Sequence, residues 1–424
     1  MNIMPMKTVE VPTLLWYGDK KLPLKFPSDW DVHLYPMNGD QMQPLCEDGI
    51  RAALSNPIDT RTIGQLARNR KEAAIVIDDM TRATKPSLLL PYIFEELNAN
   101  GISNDHIRFI MALGAHGAQN RMDFVKKLGE DVVEEFSIWN HNITGNVEYL
   151  GETSHGTPVE INGEFMSCDL KIAIGGIVPH PMAGFGGGAK IIVPGVSSLK
   201  TINYNHVNVY LSGPNNAPHP TTGWGKTDGN ILVKDNEEIA KMCGLDIKID
   251  MVFNGRAEPV GLFAGDVVAE YREGVKLGRK AYATETPEGF DIVVANNYFK
   301  SNEASLAMAI AVDTVREGGT VVLISIAPDG QMSHYNVGKW GKNLGGPLYQ
   351  ARRAAQTPPK LGKLIVYSPY KLKDPWLPIG NPEEMTWLKD WAEVLEELKN
   401  CHEGKPRIAV YPNAEVQRPV QPSR

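Results

Sequence analysis

Two histidines, a lysine and a cluster of glycines share one stretch of this chain, Ile172 to His206 (IAIGGIVPHPMAGFGGGAKIIVPGVSSLKTINYNH). Histidine takes or gives a proton near neutral pH and binds borderline metals through one ring nitrogen, so His180 and His206 are candidates for either task. Lys190 ends the GFGGGAK run. Its amine can serve as a solvated surface cation, as a phosphate counter-ion or, once desolvated, as a nucleophile. Glycine costs backbone entropy inside regular elements, so Gly184, Gly186, Gly187 and Gly188 point to a loop whose backbone passes close to a ligand. Outside this stretch, Asp79 and Arg82 in DDMTR and His116 in LGAHG add a carboxylate, a guanidinium and a third imidazole. Arginine matches a carboxylate with two parallel hydrogen bonds. Asp79 is suited to orienting His116 or Arg82, the alternative being a structural ion pair at a strand end. The other histidines, His33, His106, His141, His155, His219, His334 and His402, read as ordinary polar residues.

Two phosphate-binding patterns fail on this loop. A Walker A loop needs Ser or Thr after its lysine, and Ile191 follows Lys190. A dinucleotide fingerprint needs a helix after its glycines, and IIVPGV with its proline follows instead. What remains is a loop of backbone amides able to hold a phosphate or another anion, with one lysine at its end.

The elements that position these groups alternate. AAIVIDD (Ala73 to Asp79) is a short β-branched run typical of a buried parallel strand. PSLLLPYIFEELNANG has helical periodicity with Gly101 as its stop. HIRFIMALGAHG supplies a second strand and NRMDFVKKLG a further helix, and DLKIAIGGI is a third strand leading to His180. This β-α-β-α rhythm is that of an open α/β sheet, in which ligands bind beyond the carboxyl ends of strands. Asp79, Arg82, His116 and His180 all follow strand ends, which places them in one cleft. The stretch NHVNVYLSGPNNAPHPTTGWGKTDGN reads as loop. DNEEIAKMCG reads as a helix, IDMVFNG as a strand and DVVAEYREGVKLGRKAYA as a long amphipathic helix. TETPEG is a linker, after which FDIVVANNYF, LAMAIAVDTVREGG and TVVLISIA restart the pattern as strand, helix and strand. Asn381, Pro382 and Glu384 suggest a capping-box start for a helix with Leu388, Trp391, Val394, Leu395 and Leu398 on its apolar face. PRIAVYP is a closing strand, and VQRPVQPSR a frayed tail. The fold expected is α/β, with two α/β domains of open, mostly parallel sheets and the active site in the cleft between them. Residues 1–284 form the N-terminal domain with the lysine and histidines, and residues 285–424 the C-terminal domain that closes the cleft.

A chain of 424 residues with 42% hydrophobic content can bury such cores. A formal charge of −7 with no basic tail or stripe argues against a nucleic-acid partner and leaves a small molecule as the expected ligand. No apolar run is long enough for a membrane span, and prolines and charges interrupt the N-terminus before any signal-like segment, so the expected location is cytoplasmic. Cys46, Cys168, Cys243 and Cys401 show no CxxC spacing and read as reduced, mostly packing residues.

DDMTR, LGAHG and PHPMAGFGGGAKIIVPGVSSLKTINYNH together resemble the nickel-dependent lactate racemase family, and the likeness runs on through FNGRAEPVGLFAGD, covering most of residues 70 to 285. The resemblance implies a racemase or C2-epimerase of 2-hydroxy acids, an isomerase that uses a nickel pincer nucleotide (pyridinium-3-thioamide-5-thiocarboxylic acid mononucleotide with Ni2+). By the same resemblance Lys190 is the covalent anchor, His206 the protein ligand at the metal site it shares with Lys190, and Gly186, Gly187 and Gly188 the room for the nucleotide. His116 and His180 become the acid/base pair on opposite faces of the substrate, and Asp79 and Arg82 the substrate-binding pair, with the arginine on the carboxylate. One histidine removes the hydroxyl proton while hydrogen leaves C2 as hydride, giving a planar 2-keto acid, and return to the other face inverts the carbon. Enzymes that make the cofactor are the implied partners.

The second domain departs from the family pattern. Asn296 to Phe299 (NNYF) stands where a GGYP-like turn is expected, and Leu306 and Ala309 fall where a substrate-contacting glutamine and lysine are expected. Lys300, Asn302 and Glu303 offer other polar groups, either for an acid larger than lactate, such as a sugar-derived one, or simply as an exposed turn. Two competing readings stand beside the racemase: a non-catalytic carrier of the cofactor, and a histidine-metal hydrolase built on the three histidines.

Overall fold

Every residue of strand Ala73–Asp78 is buried, as a parallel strand covered on both faces requires. The computed structural model describes residues 5–332, 357–371 and 383–420. Ala73–Asp78 lies inside a six-stranded sheet whose spatial order is Pro259–Gly265, Ile247–Phe253, Leu170–Gly176, Ala73–Asp78, Ile107–Ala112, Ser137–Asn140. All neighbours pair in parallel except Pro259–Gly265, which is antiparallel at one edge. Alternation along the strands divides the core: Ile75 and Ile77 join Phe109 and Ile172 on one face, while Ala74 and Val76 join Ile110 and Ala173 on the other. Helices Leu90–Ala99 and Arg121–Leu128 follow the first two strands. Asn120 caps the second of these reciprocally with Asp123, and Gly129, at φ 94°, ends it.

A second six-stranded sheet, parallel throughout, has the order Thr386–Leu388, Leu361–Tyr367, Val315–Ser325, Phe290–Asn297, Arg407–Tyr411, Asp31–Leu34. The last of these strands comes from the start of the chain. A hairpin of Met6–Thr13 with Lys20–Pro27 precedes it, and Val9, Val11, Leu24 and Phe26 bury themselves against Ile292, Val322 and Trp391 of the second unit. By sheet pairing, then, the N-terminal segment goes with the C-terminal sheet and not with residues up to 284. The physical reason is a hairpin whose apolar face has its cover only there. The α/β class, the parallel sheets and the two-unit arrangement stand as expected.

Four local expectations change. Helix Trp391–Cys401 is capped by Asp390 through the Glu393 amide, so Leu388 belongs to a strand and not to the helix; Asn381 and Pro382 lie outside the described residues, as does His334. The strand expected from Thr320 begins at Val315, which pairs with Phe290 one residue after the helix ends at Thr314; the register shifts before Thr320 pairs with Ile292. Cys168 and Cys243 pack in the interior, but Cys46 and Cys401 are exposed.

The expected frayed tail is ordered up to Val420. Arg418–Pro419 pairs with Ala283–Thr284, Val416 is buried, and the Gln417 amide donates to the Tyr35 carbonyl at 2.7 Å. Glu415 is fully buried, and its Oε1 accepts the backbone N–H groups of Tyr298 at 2.8 Å, Phe299 at 2.6 Å and Lys300 at 3.3 Å. That carboxylate shapes the turn that carries Lys300. Glu415→Ala orphans these donors and is expected to cost about 3 kcal/mol, read as a lower urea midpoint, with Glu415→Gln losing less because it keeps an acceptor.

Candidate active site

Strands Leu170–Gly176, Ala73–Asp78 and Ile107–Ala112 are adjacent, and the segments leaving their carboxyl ends carry His180, Asp79 with Arg82, and His116. The turn after Ala73–Asp78 is pinned from behind. Lys127, fully buried, donates to Asp78 Oδ1 at 2.7 Å and to the carbonyls of Arg82 and Thr84 at 3.0 Å each. In front, Asp79 Oδ2 sits 2.5 Å from His116 Nδ1, and its Oδ1 accepts from the Thr81 amide at 3.0 Å and from the Thr81 hydroxyl. Burial raises the Asp79 carboxyl, but His116 and then Arg82 outweigh it and hold it well below the usual carboxylate range. An ionised Asp79 keeps the His116 proton on Nδ1, so Nε2 carries the lone pair of a base.

His180 has the opposite tautomer. Its Nδ1 accepts from the amides of Met182 and Ala183, each at 3.2 Å, which places the ring proton on Nε2. Burial, then the charges of Lys190, Lys300 and Arg82, hold its pKa well below the ordinary value. His180 thus carries its ring proton on Nε2 and His116 carries one on Nδ1, and both rings line the same cavity.

The glycine loop is shaped as much by the core beneath it as by the cavity. A Cβ on Gly187 would come within 2.6 Å of Ile177 and 2.8 Å of Asp250, and one on Gly188 within 2.8 Å of the Tyr271 ring. Gly186 and Gly187 line the cavity, whereas Gly188 packs away from it, a correction to its expected place at the ligand. Asp250 fixes this loop by accepting the Gly188 amide at 2.5 Å, and Lys248 holds Asp250 at 2.5 Å, both side chains being wholly buried. Lys190 follows in a 3-10 turn, Gly188–Ile191. Burial first, then Arg82 and Lys300, bring its amine down to about 7. At neutral pH much of it is an uncharged nucleophile.

His206 is not in a loop, as expected, but in a π-helical turn, Asn205–Val209, that continues helix Leu199–Tyr204. Asn205 holds this turn, donating to Asp235 at 2.7 Å and to Asn236 at 3.0 Å. His206 Nδ1 lies 3.1 Å from the Ile202 carbonyl, which commits that nitrogen as donor and leaves Nε2 in the form a metal ligand needs.

From the second unit come Lys300, Asn302 and Glu303. Lys300 is 2% exposed, so the exposed-turn reading fails for it. Glu303 Oε2 lies 3.0 Å from Arg82 Nη1 and 3.2 Å from Lys300 Nζ, an ion pair across the two units. Burial, then Arg82, bring Lys300 down to about 8. All of the expected site residues except Gly188 line one cavity of about 520 Å3. Sequence reasoning missed several of its polar members, among them Lys248, Asp78 and Gln331. Lys248 and Asp78 had a signal, charge inside otherwise apolar strands. Gln331 had none; its amide donates to the Ser301 carbonyl at 2.8 Å and accepts from the Ala304 amide at 2.9 Å, bracing the turn beside Glu303. Leu306 lines the cavity and Ala309 does not. Among the described residues no group of three or more His, Cys, Asp and Glu side chains is arranged to hold a metal ion.

Residues 17–217 match the lactate racemase N-terminal domain. A lactate racemase from Thermoanaerobacterium thermosaccharolyticum is 26% identical over 77% of this chain and 76% of its own length, and one from Lactiplantibacillus plantarum is 28% identical over 67% of each. The apoprotein structure of the Thermoanaerobacterium lactate racemase superposes with a TM-score of 0.72 at 23% identity, covering 97% of this chain and 99% of the other. A Thermotoga maritima protein superposes with a TM-score of 0.64 at 17% identity, covering 88% of this chain and 97% of its own. These two structures share the α/β fold described above.

The lowered amine of Lys190 is directly measurable. Labelling with an amine-selective acylating reagent, followed by peptide mass, should reach half its plateau rate near pH 7 at Lys190. Replacing Arg82 or Lys300 by glutamine removes a repelling charge and should move that midpoint upward.

Proposed function

We propose that this chain belongs to the lactate racemase family and, from that premise, that it is an isomerase inverting C2 of a 2-hydroxy acid, with a nickel pincer nucleotide joined to Lys190 and ligated by His206. The observation that carries the reading is the pair of histidines lining one cavity with opposite ring nitrogens committed, His116 backed by Asp79 and His180 backed by two amides. A carrier protein needs no such pair. The residues fit the cofactor on three counts: an amine near neutrality at the cavity wall, a histidine with Nδ1 committed elsewhere, and a glycine loop lining the space.

When bound, the cofactor supplies a hydride acceptor for C2. The chain's own residues handle the carboxylate and the proton. Arg82 bonds through Nη1 to Thr81 and Glu303, and its remaining guanidinium edge is the place for the substrate carboxylate. His116 Nε2 takes the hydroxyl proton of one enantiomer, and Asp79 stabilises the imidazolium that results. On the other side the oxygen takes its proton at His180, which serves as the acid only after a further proton has reached its ring, because loss of the Nε2 proton from the neutral ring would leave an imidazolate. For the opposite enantiomer the two exchange roles. Glu303, Asn302 and Leu306 line the cavity where lactate-specific groups are expected, which supports an acid larger than lactate, with sugar-derived hydroxy acids as the leading class.

Co-production with the cofactor-making enzymes should yield protein whose intact mass carries the nucleotide adduct, and the unmodified mass alone would refute the reading. Lys190→Ala should lose adduct and activity together. His116→Ala should keep the adduct while kcat falls by about 100-fold or more. Racemisation in deuterated water should leave the C2 hydrogen unexchanged, whereas full exchange would exclude hydride transfer.

A further inference from the structure

The charges around the cavity nearly all cancel in pairs before any substrate arrives. Among the described lining residues the cations are Arg82, Lys190, Lys248 and Lys300, and the anions Asp78, Asp79 and Glu303. Lys248 is neutralised by Asp250 at 2.5 Å, Asp78 by Lys127 at 2.7 Å, and Asp79 is committed to His116 at 2.5 Å. Lys190 would carry no charge with the proposed cofactor joined to its amine. What remains is Arg82 and Lys300 sharing the single carboxylate of Glu303, at 3.0 Å and 3.2 Å.

Within the cluster of Arg82, Lys300 and Glu303 two cations and one anion leave one positive charge, a match for one substrate carboxylate. A buried anion without a partner costs several kcal/mol, and the Lys300 and Glu303 side chains are only 3% and 15% exposed, so water offers little relief. We propose that Glu303 sets the charge of the acid this site accepts, admitting 2-hydroxy monocarboxylates and rejecting 2-hydroxy dicarboxylates. It does so by occupying the cation, Lys300, that a second substrate carboxylate would need. Specificity of this kind works through repulsion of the wrong ligand as much as attraction of the right one. The inference rests on Arg82 as the carboxylate site of the proposed racemase and adds the number of charges that site tolerates.

Malate and its C4 amide have nearly the same shape and differ by one charge, so their affinity ratio isolates the effect. Binding of each is measured by calorimetry on the full chain purified without cofactor, where the Lys190 charge is common to all comparisons. Glu303→Gln should raise the affinity for malate relative to the amide by about tenfold or more. Lys300→Gln should move the ratio the other way, a reversal that general loosening of the fold does not produce. In the cofactor-loaded enzyme the same ratio of kcat/KM values should follow. If both acids bind and Glu303→Gln leaves the ratio unchanged, the role of Glu303 is overturned while Arg82 stands. If neither acid binds the wild-type chain, or Arg82→Gln binds the amide as well as wild type does, the carboxylate site itself is misplaced and this inference falls with it.

Discussion

Positive charge confined out of water is the constraint on which this structure turns. Lys190, Arg82 and Lys300 face one cavity, and each depresses the proton affinity of its neighbours. The consequences are chemical: an amine neutral enough to be acylated and a His180 ring that stays uncharged. Neither sheet creates this alone. Arg82 and Lys190 leave the first sheet and Lys300 the second, so the close approach of the two units, bridged by Glu303, is what tunes the groups.

Beneath the functional side chains lies a layer of buried charges that never reach substrate but fix the backbone from which those side chains extend. Lys127 holds the carbonyls of Arg82 and Thr84, Asp250 holds the Gly188 amide, Asp235 holds Asn205 ahead of His206, and Glu415 holds the amides leading to Lys300. Charged groups bind backbone dipoles more strongly than neutral ones do, and inside a low-dielectric core their geometry is narrowly defined. Each cavity-lining element thus has its own ionic fastening. Breaking one would displace a functional group without touching it.

The first sheet and its loops were legible because their signals are local. AAIVID is apolar throughout, and the polar groups come immediately after it. The glycine loop was legible too, but for a partly different reason: Gly187 and Gly188 are demanded by Asp250, Ile177 and Tyr271 on the core side. Asp79, Arg82, His116 and His180 were singled out by type and by their place after strand ends, and Lys190 and His206 by the glycine loop near them; the structure puts all six on one cavity. Lys127 was not, since nothing in MDFVKKLG separates it from Lys126 beside it; only the tertiary contact with Asp78 does. Gln331 and the placement of Asp31–Leu34 depend on partners hundreds of residues away or across a turn, and periodicity carries no information about such partners.

The pairing of Asp31–Leu34 with Arg407–Tyr411 has a bearing on how the protein is made. The ribosome emits the N-terminal hairpin first, yet its apolar residues Val9, Val11, Leu24 and Phe26 are covered by strands and a helix from the last third of the chain. Contacts this distant in sequence form slowly, and a strand edge left waiting is open to wrong partners. The first sheet, with its loops and Lys190, has most of its own core in residues 47–282 and can assemble meanwhile. A pocket wall carrying Lys190 that formed ahead of Lys300 and Glu303 would stand open on the side they later cover.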